Sequence, residues 1–334
     1  MKNVSIRLHY RKYGSNGKKN TEGISNMFLT GFADEASKDL REQISATKAL
    51  GWSNIEARFI GEKFMAFLSD EEFEEACQLL EENSIQINCY GSGVANWGKD
   101  PWKEEDFELS KKELLLAIPR MKRLGTKMIR GMSFKVPGPE CYDSADYEKN
   151  IFSKVNELVQ ICADNGILYG HENCMNYGGQ SYIHTLRLVE NIKSDAFKLI
   201  FDTGNPVFNF HRVGDMPFHL QDAWEFYTNV REFIHYVHIK DCVSSVQEDG
   251  SVQTTYTYAG EGNAKIPAIL TDLFKHGYDG GFSIEPHVAV VFHDTENKED
   301  AELLKKRRFE TYVDYGKRFE VLLKECKAKA SLSK

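Results

Sequence analysis

Eight times along this chain a short apolar run gives way to an amphipathic, helix-like stretch, and that alternation limits the fold more than any other feature. The runs are MFLTGFADE, SNIEAR, IQINCYGSG, KMIRGM, ILYGHEN, KLIFDTGN, YVHIKD and GFSIEPH. Helices are expected near Ser37–Leu50, Glu71–Asn83, Glu105–Leu124, Glu148–Asn165, Tyr182–Ile192, Leu220–Phe233, Ile266–His276 and Lys298–Lys327. Several end in a stop signal, Leu50-Gly51, Leu124-Gly125, Asn165-Gly166 and His276-Gly277, because glycine just past a helix takes the left-handed turn cheaply. The strands are short and lack polar alternation, as expected when both faces are buried. Eight such units without a break in composition predict an α/β fold, a single-domain (β/α)8 TIM barrel over residues 27–327. A doubly wound open sheet is the alternative; the unit count and the lack of a GxGxxG turn after the first strand disfavour it. Residues 1–26, with the strand-like NVSIRLHY and the turn GSNGKKN, are expected to form an N-terminal extension capping one end.

Two connections are long. PVFNFHRVGDMPFH follows the sixth strand, and CVSSVQEDGSVQTTYTYAGEGN, with Asp249-Gly250 between two strand-like arms, follows the seventh as a hairpin. In a barrel both would border the active face, where long loops form substrate lids.

Bulk composition removes several function classes. The 42 Lys and Arg against 50 Asp and Glu leave a net charge of −8, which argues against a surface that coats nucleic acid. The basic runs Lys122-Arg123 and Lys305-Lys306-Arg307-Arg308 read as solvated helix faces, the second interleaved with Glu302 and Glu310. No run of about 18 apolar residues exists, so no membrane span is expected. The seven cysteines form no CxxC pair and the first residues lack a signal-peptide run, which suits a reducing, cytoplasmic setting.

Four strand ends carry metal-type ligands: Glu172 in ILYGHEN, Asp202 in LIFDTGN, His238 in YVHIKD and Glu285 in FSIEPH. On consecutive strands five to eight they would occupy one half of the barrel rim and converge. Each could be an ordinary loop or core residue alone; four in the same position on four strands argue for a site. Three carboxylates and one imidazole, without thiolate, suit one divalent cation: Mn²⁺, Mg²⁺ or Co²⁺, with Zn²⁺ less favoured by ligand type. Buried carboxylates grouped without a cation would be costly.

HEN, FDTGN, VHIKD and the stretch from Gly260-Glu261-Gly262 through LFKHGYDGGFSIEPH resemble the sugar phosphate isomerase/epimerase superfamily, the xylose isomerase-like TIM barrels. The resemblance runs from about Phe28 to His293. It implies that Glu172, Asp202, His238 and Glu285 hold one divalent metal. Barrels of the endonuclease IV type share the fold but carry further His and Asp ligands for three zinc ions. Here Asn205 stands where DxxH would place a histidine, and no DxH pair follows VHIKD, so a trinuclear nuclease is not expected.

The resemblance implies a small carbohydrate substrate whose proton moves at a carbon next to a carbonyl. A metal acting as Lewis acid would stabilise the cis-enediolate, and Glu172 and Glu285 would be both ligands and acid/base groups. Asp202 and His238 would be ligands only. Lys240, two residues beyond His238, faces the same side. HIKD resembles the inosose dehydratase and hydroxypyruvate isomerase branches, in which this lysine binds a substrate oxygen. Glu56, Arg130, Asn205, His171, His287 and Trp97 are the remaining candidate substrate contacts, with Arg58 as a structural or binding partner of Glu56 and Tyr90 as packing. His171 and His287 flank the glutamates, and His171, the immediate neighbour of Glu172, would point away unless the strand has ended. A sugar isomerase or epimerase is the leading expectation. A dehydratase or lyase acting on a keto-sugar or keto-cyclitol is the alternative, and a catalytically silent sugar-binding barrel the third. No phosphate-cradling loop is evident, and a homo-oligomer is compatible with the chain.

Overall fold

A computed structural model describes residues 27–142, 144–289 and 301–332. The expected extension over residues 1–26 and the start of the last helix at Lys298 lie outside them. Eight strands form one sheet: β1 (Leu29–Gly31), β2 (Asn54–Ala57), β3 (Gln86–Val94), β4 (Met128–Gly131), β5 (Leu168–Glu172), β6 (Phe197–Asp202), β7 (Ile234–Ile239) and β8 (Phe282–Ile284). Every pairing in it is parallel, in the order β1-β8-β7-β6-β5-β4-β3-β2. β1 also lies beside β2, which nearly closes a TIM barrel.

The helices α1 (Leu40–Ala49), α2 (Asp70–Glu82), α3 (Glu104–Leu124), α4 (Ala145–Asp164), α5 (Tyr182–Asn191), α6 (Ala223–Val230), α7 (Ile266–Lys275) and α8 (Ala301–Leu332) surround it. Their starts follow local chemistry. The Ser69 hydroxyl accepts from the Glu72 amide while Glu72 reaches back to Ser69, and Asp39, Ser144, Ser181 and Asp222 accept from first-turn amides in the same way. The Asp222 cap starts α6 later than the apolar pattern from Leu220 suggested, and a 3-10 turn over Arg231–Phe233 finishes it. α8 runs on to Leu332 because nothing after Lys327 breaks it. Gly51, Gly125, Gly166 and Gly277 all have positive φ, as helix-stop glycines require.

Side chains alternate along the strands between two environments. Tyr169, Leu199, Phe201, Val237, Ile239, Phe282 and Ile284 join the main core beneath the helices. Cys89, Met128, Ile200 and Tyr236 form a separate small cluster inside the barrel. After β7 the arms Asp241–Val246 and Val252–Thr257 pair antiparallel, the hairpin expected around Asp249-Gly250. All seven cysteines are free thiols. Among the described residues no helix is long and apolar enough to cross a membrane.

Candidate metal centre at the carboxyl ends of the strands

The inward parity that buries Ile200 and Tyr236 carries on, two residues later, to Asp202 and His238, so the strand pattern itself delivers both to the mouth of the barrel. Asp202 and His238 are register partners on β6 and β7. Glu172 ends β5, and Glu285 follows β8 directly. One ligand atom from each of these four buried residues lies within 4.8 Å of the others.

Each candidate ligand is held by its own partners. Glu172 Oε2 pairs with Arg130 Nη1 at 3.1 Å, and its Oε1 accepts from Asn205 Nδ2 at 3.0 Å. Asp202 Oδ1 accepts from the amides of Gly204 and Asn205 at 2.9 and 2.7 Å. Glu285 Oε1 pairs with Arg58 Nη1 at 2.9 Å and Oε2 with Lys240 Nζ at 2.8 Å. Lys240 Nζ also lies 3.0 Å from Asp202 Oδ2. Gly204 makes room for this lysine: a Cβ there would come within 2.8 Å of Lys240 Cγ and 2.9 Å of its carbonyl oxygen.

The charges set one another. Burial opposes ionisation of Glu172, yet Arg130 and His238 outweigh it and draw the carboxyl down to about 2. Glu285 is likewise held well below the usual carboxylate range, where Lys240, His287 and Arg58 prevail over burial. Asp202 goes the other way, raised to about 6 by burial despite Lys240, with Glu285 and Glu172 adding to the rise. Burial disfavours the charged imidazole of His238, but Glu56 and Glu172 flank it and lift it to about 10.

The donor set fits a divalent cation. His238 Nδ1 is buried without a hydrogen-bond partner and Asp202 Oδ2 has only its ion pair with Lys240, and both residues belong to the four-ligand group. Six buried carboxylates (Asp34, Glu35, Glu56, Glu172, Asp202, Glu285) face three fixed cations, Arg58, Arg130 and Lys240, an excess of three negative charges that protonated His238 and His287 offset only in part. A dication is the economical neutraliser of such a surplus. Three oxygen donors and one nitrogen suit Mg²⁺, Mn²⁺ or Co²⁺.

The other expected contacts fall in three places. Lys240, Arg130 and Asn205 join the cluster directly. His287 does so because the strand has ended: its backbone turns left-handed, φ 52°, and returns its ring to Glu285, Nε2 to Oε1 3.4 Å, and to Glu35, Nδ1 to Oε1 3.1 Å. Glu56 reaches the cluster from inside the barrel, beside His238 and Tyr236. His171 is not brought in. It faces the helix layer, 2.9 Å from Ser133 Oγ and against Phe197. Trp97, 38% exposed, sits in the loop after β3.

Sequence reasoning passed over three members of this neighbourhood. Asp34 and Glu35 lie just past the carboxyl end of β1, as the candidate ligands lie at the carboxyl ends of their own strands; Asp34 Oδ2 holds Arg58 Nε at 2.8 Å, and Glu35 Oε2 accepts from the His287 amide at 2.7 Å. The rule that singled out the other strand ends applies equally to GFADE. Phe32 stands between the two guanidiniums, 4.5 Å from Arg58 Cζ and 5.1 Å from Arg130 Cζ, with its edge against His238.

A nearly closed ring of parallel strands with an acidic, imidazole-bearing cluster at their carboxyl ends defines a TIM barrel with a candidate cation site. Residues 44–307 match the family model described as xylose isomerase-like TIM barrel, well over half of the chain, and the chain belongs to that family. A D-tagatose 3-epimerase-like protein shares the fold with a TM-score of 0.63 at 19% identity, over 91% of this chain and 99% of that one. A xylose isomerase-like barrel of Mycobacterium smegmatis, solved with magnesium, gives 0.59 at 15% over 87% and 98%. The probable 3-DHS dehydratase of Bacillus anthracis gives 0.58 at 14% over 85% and 97%. Among curated proteins, an uncharacterised protein of Methanocaldococcus jannaschii is 30% identical over 139 residues, 41% of this chain and 42% of that protein. The matched segment thus spans less than half of that relative.

Proposed function

We propose that the protein is a divalent-metal-dependent sugar isomerase or epimerase that moves a proton at a carbon beside a carbonyl. The convergence of Glu172, Asp202, His238 and Glu285 within 4.8 Å carries this reading. The four would hold one Mn²⁺, Mg²⁺ or Co²⁺, which supplies Lewis-acid polarisation of the substrate's oxygens. Glu172 and Glu285 remove and return the proton. Arg130 and Asn205 keep the Glu172 carboxylate ionised and aimed, while Arg58 and Lys240 do the same for Glu285. Asp202, fixed by the two amides that follow it, and His238 act as ligands alone. Free, buried thiols at all seven cysteines support a cytoplasmic setting.

A keto-sugar or keto-cyclitol dehydratase or lyase is the second reading, favoured by Lys240. Its Nζ, 3.0 Å from Asp202 and 2.8 Å from Glu285, is a buried proton donor beside the proposed base and could protonate a departing hydroxyl. The first proton abstraction is common to both readings.

Metal-loaded protein incubated in D₂O with ketoses, keto-inositols and 3-keto-glycosides, followed by NMR, separates them. Deuterium at an α-carbon with a new epimer or aldose supports the isomerase. Loss of water or aglycone supports the second reading, and no exchange with any substrate refutes both. Glu285→Gln is expected to abolish exchange; an unchanged rate would remove Glu285 from the acid/base pair.

A further inference from the structure

We infer that Glu56 is a positioning residue that fixes the orientation and tautomer of His238 for metal binding, rather than a substrate contact. The inference rests on the proposed cation site. Glu56 lies on β2, across the barrel from β7, and its carboxylate is fully buried. Both oxygens approach the same ring nitrogen: His238 Nε2 is 3.2 Å from Oε1 and 3.1 Å from Oε2. The Tyr236 hydroxyl donates to Oε2 at 2.8 Å. Tyr236 precedes His238 by two residues and shares its face of β7, so Glu56 sits one layer further into the barrel than the ligands, on the side of the ring away from Glu172.

An ionised carboxylate only accepts, so Nε2 must carry the hydrogen it shares with Glu56. In the neutral ring the lone pair is then left on Nδ1. That atom is buried without a hydrogen-bond partner and lies 3.8 Å from Glu172 Oε1, on the side of the four-ligand group. Phe32 supports the ring, its edge packed at a centroid distance of 5.1 Å and 80° between planes. The ring can neither flip nor exchange tautomers without stranding the Glu56 charge. Carboxylate–histidine pairs of this kind raise the ligand's basicity, and their loss weakens metal binding by about 10–100-fold.

The test is metal affinity of the full chain, measured with Co²⁺ by its visible absorption and with Mg²⁺ by competition. Wild-type protein should bind one ion at the cluster; if it binds none, the proposed function fails and takes this inference with it. If it binds, Glu56→Gln should weaken Co²⁺ by 10-fold or more and Mg²⁺ clearly less, since Co²⁺ depends on the imidazole more strongly than the oxygen-seeking Mg²⁺. Tyr236→Phe, which removes only the hydroxyl donor and keeps the ring packed, should produce the same graded loss on a smaller scale, and it decides the matter if Glu56→Gln does not fold. Unchanged Co²⁺ affinity, or equal losses for both ions, would show that Glu56 merely supports the barrel and would overturn the inference while leaving the metal site standing.

Discussion

On β5 to β8 the side chains that reach the barrel mouth are Glu172, Asp202, His238 and Glu285, four groups rich in lone pairs. On the other half of the ring they are Arg58, just past β2, and Arg130 on β4, separated by Phe32 from the first unit and backed by Asp34 and Glu35. Neither half could be buried alone: carboxylates this close repel, and unpaired guanidiniums in a core are just as costly. The two halves nevertheless have separable tasks. One would offer the donors for the proposed cation, and the other helps to keep Glu172 and Glu285 ionised.

The largest expected effect comes from removing donors. Asp202→Ala combined with His238→Ala should eliminate stoichiometric Mn²⁺ binding, with affinity falling by more than the roughly 100-fold that marks the upper end for loss of a ligand's supporting partner. The fold should persist, as far-ultraviolet circular dichroism would show. Retention of one ion per chain would redraw the comparison, because it would move binding to Glu35, Glu285 and His287, a second group whose ligand atoms lie within 4.8 Å of one another.

Arg58→Met exchanges the outcome. Arg58 joins Asp34, Glu35 and Glu285, and truncating it leaves these carboxylates buried without their common cation. Removing one partner of a buried ion pair costs about 3–5 kcal/mol. Urea titration should show a loss of that size, while one metal ion per chain still binds. A stability change under about 1 kcal/mol, the scale of exposed pairs, would mean that the cationic half is not what holds the site together.

The same division explains what could be read from the sequence. Ligands on the donor half end apolar runs, which is what singles them out in the sequence; that Asp202 and His238 share the inward face of Ile200 and Tyr236 is seen only in the fold. The helix stops were equally plain, since each needed a glycine that now has positive φ. Partners on the other half depend on contacts across the ring, Glu56 with His238 being 182 residues apart and Arg58 with Glu285 227. No local pattern encodes those pairings. Glu56 therefore looked like a rim residue, and the turn that returns His287 to Glu285 followed from a backbone angle rather than a residue type.

Within the donor half, the two faces of one strand provide the finest contrast. Glu172 faces the carboxylates, while His171, one residue earlier, is sealed beneath the helices. Ser133 spends its hydrogen on Asn176 Oδ1 at 2.9 Å and accepts from the Gly178 amide, so His171 Nε2 must be the donor to it, and burial outweighs the pull of Glu172 to hold this imidazole neutral down to about 4. An unfolded chain takes up that proton near the ordinary value of 6.5. Between those two values the unfolded state binds a proton that the folded state refuses, so stability must fall as pH drops through the window. At about 1.4 kcal/mol for each pH unit of the gap, the full loss is on the order of 3 kcal/mol. His171→Gln removes the titration and should flatten the curve of unfolding free energy between pH 6.5 and 4 relative to wild type, with the two parallel above pH 7. Curves that stay parallel throughout would mean that His171 titrates normally in the folded protein, and that the outward face of β5 is as open to charge as the inward one.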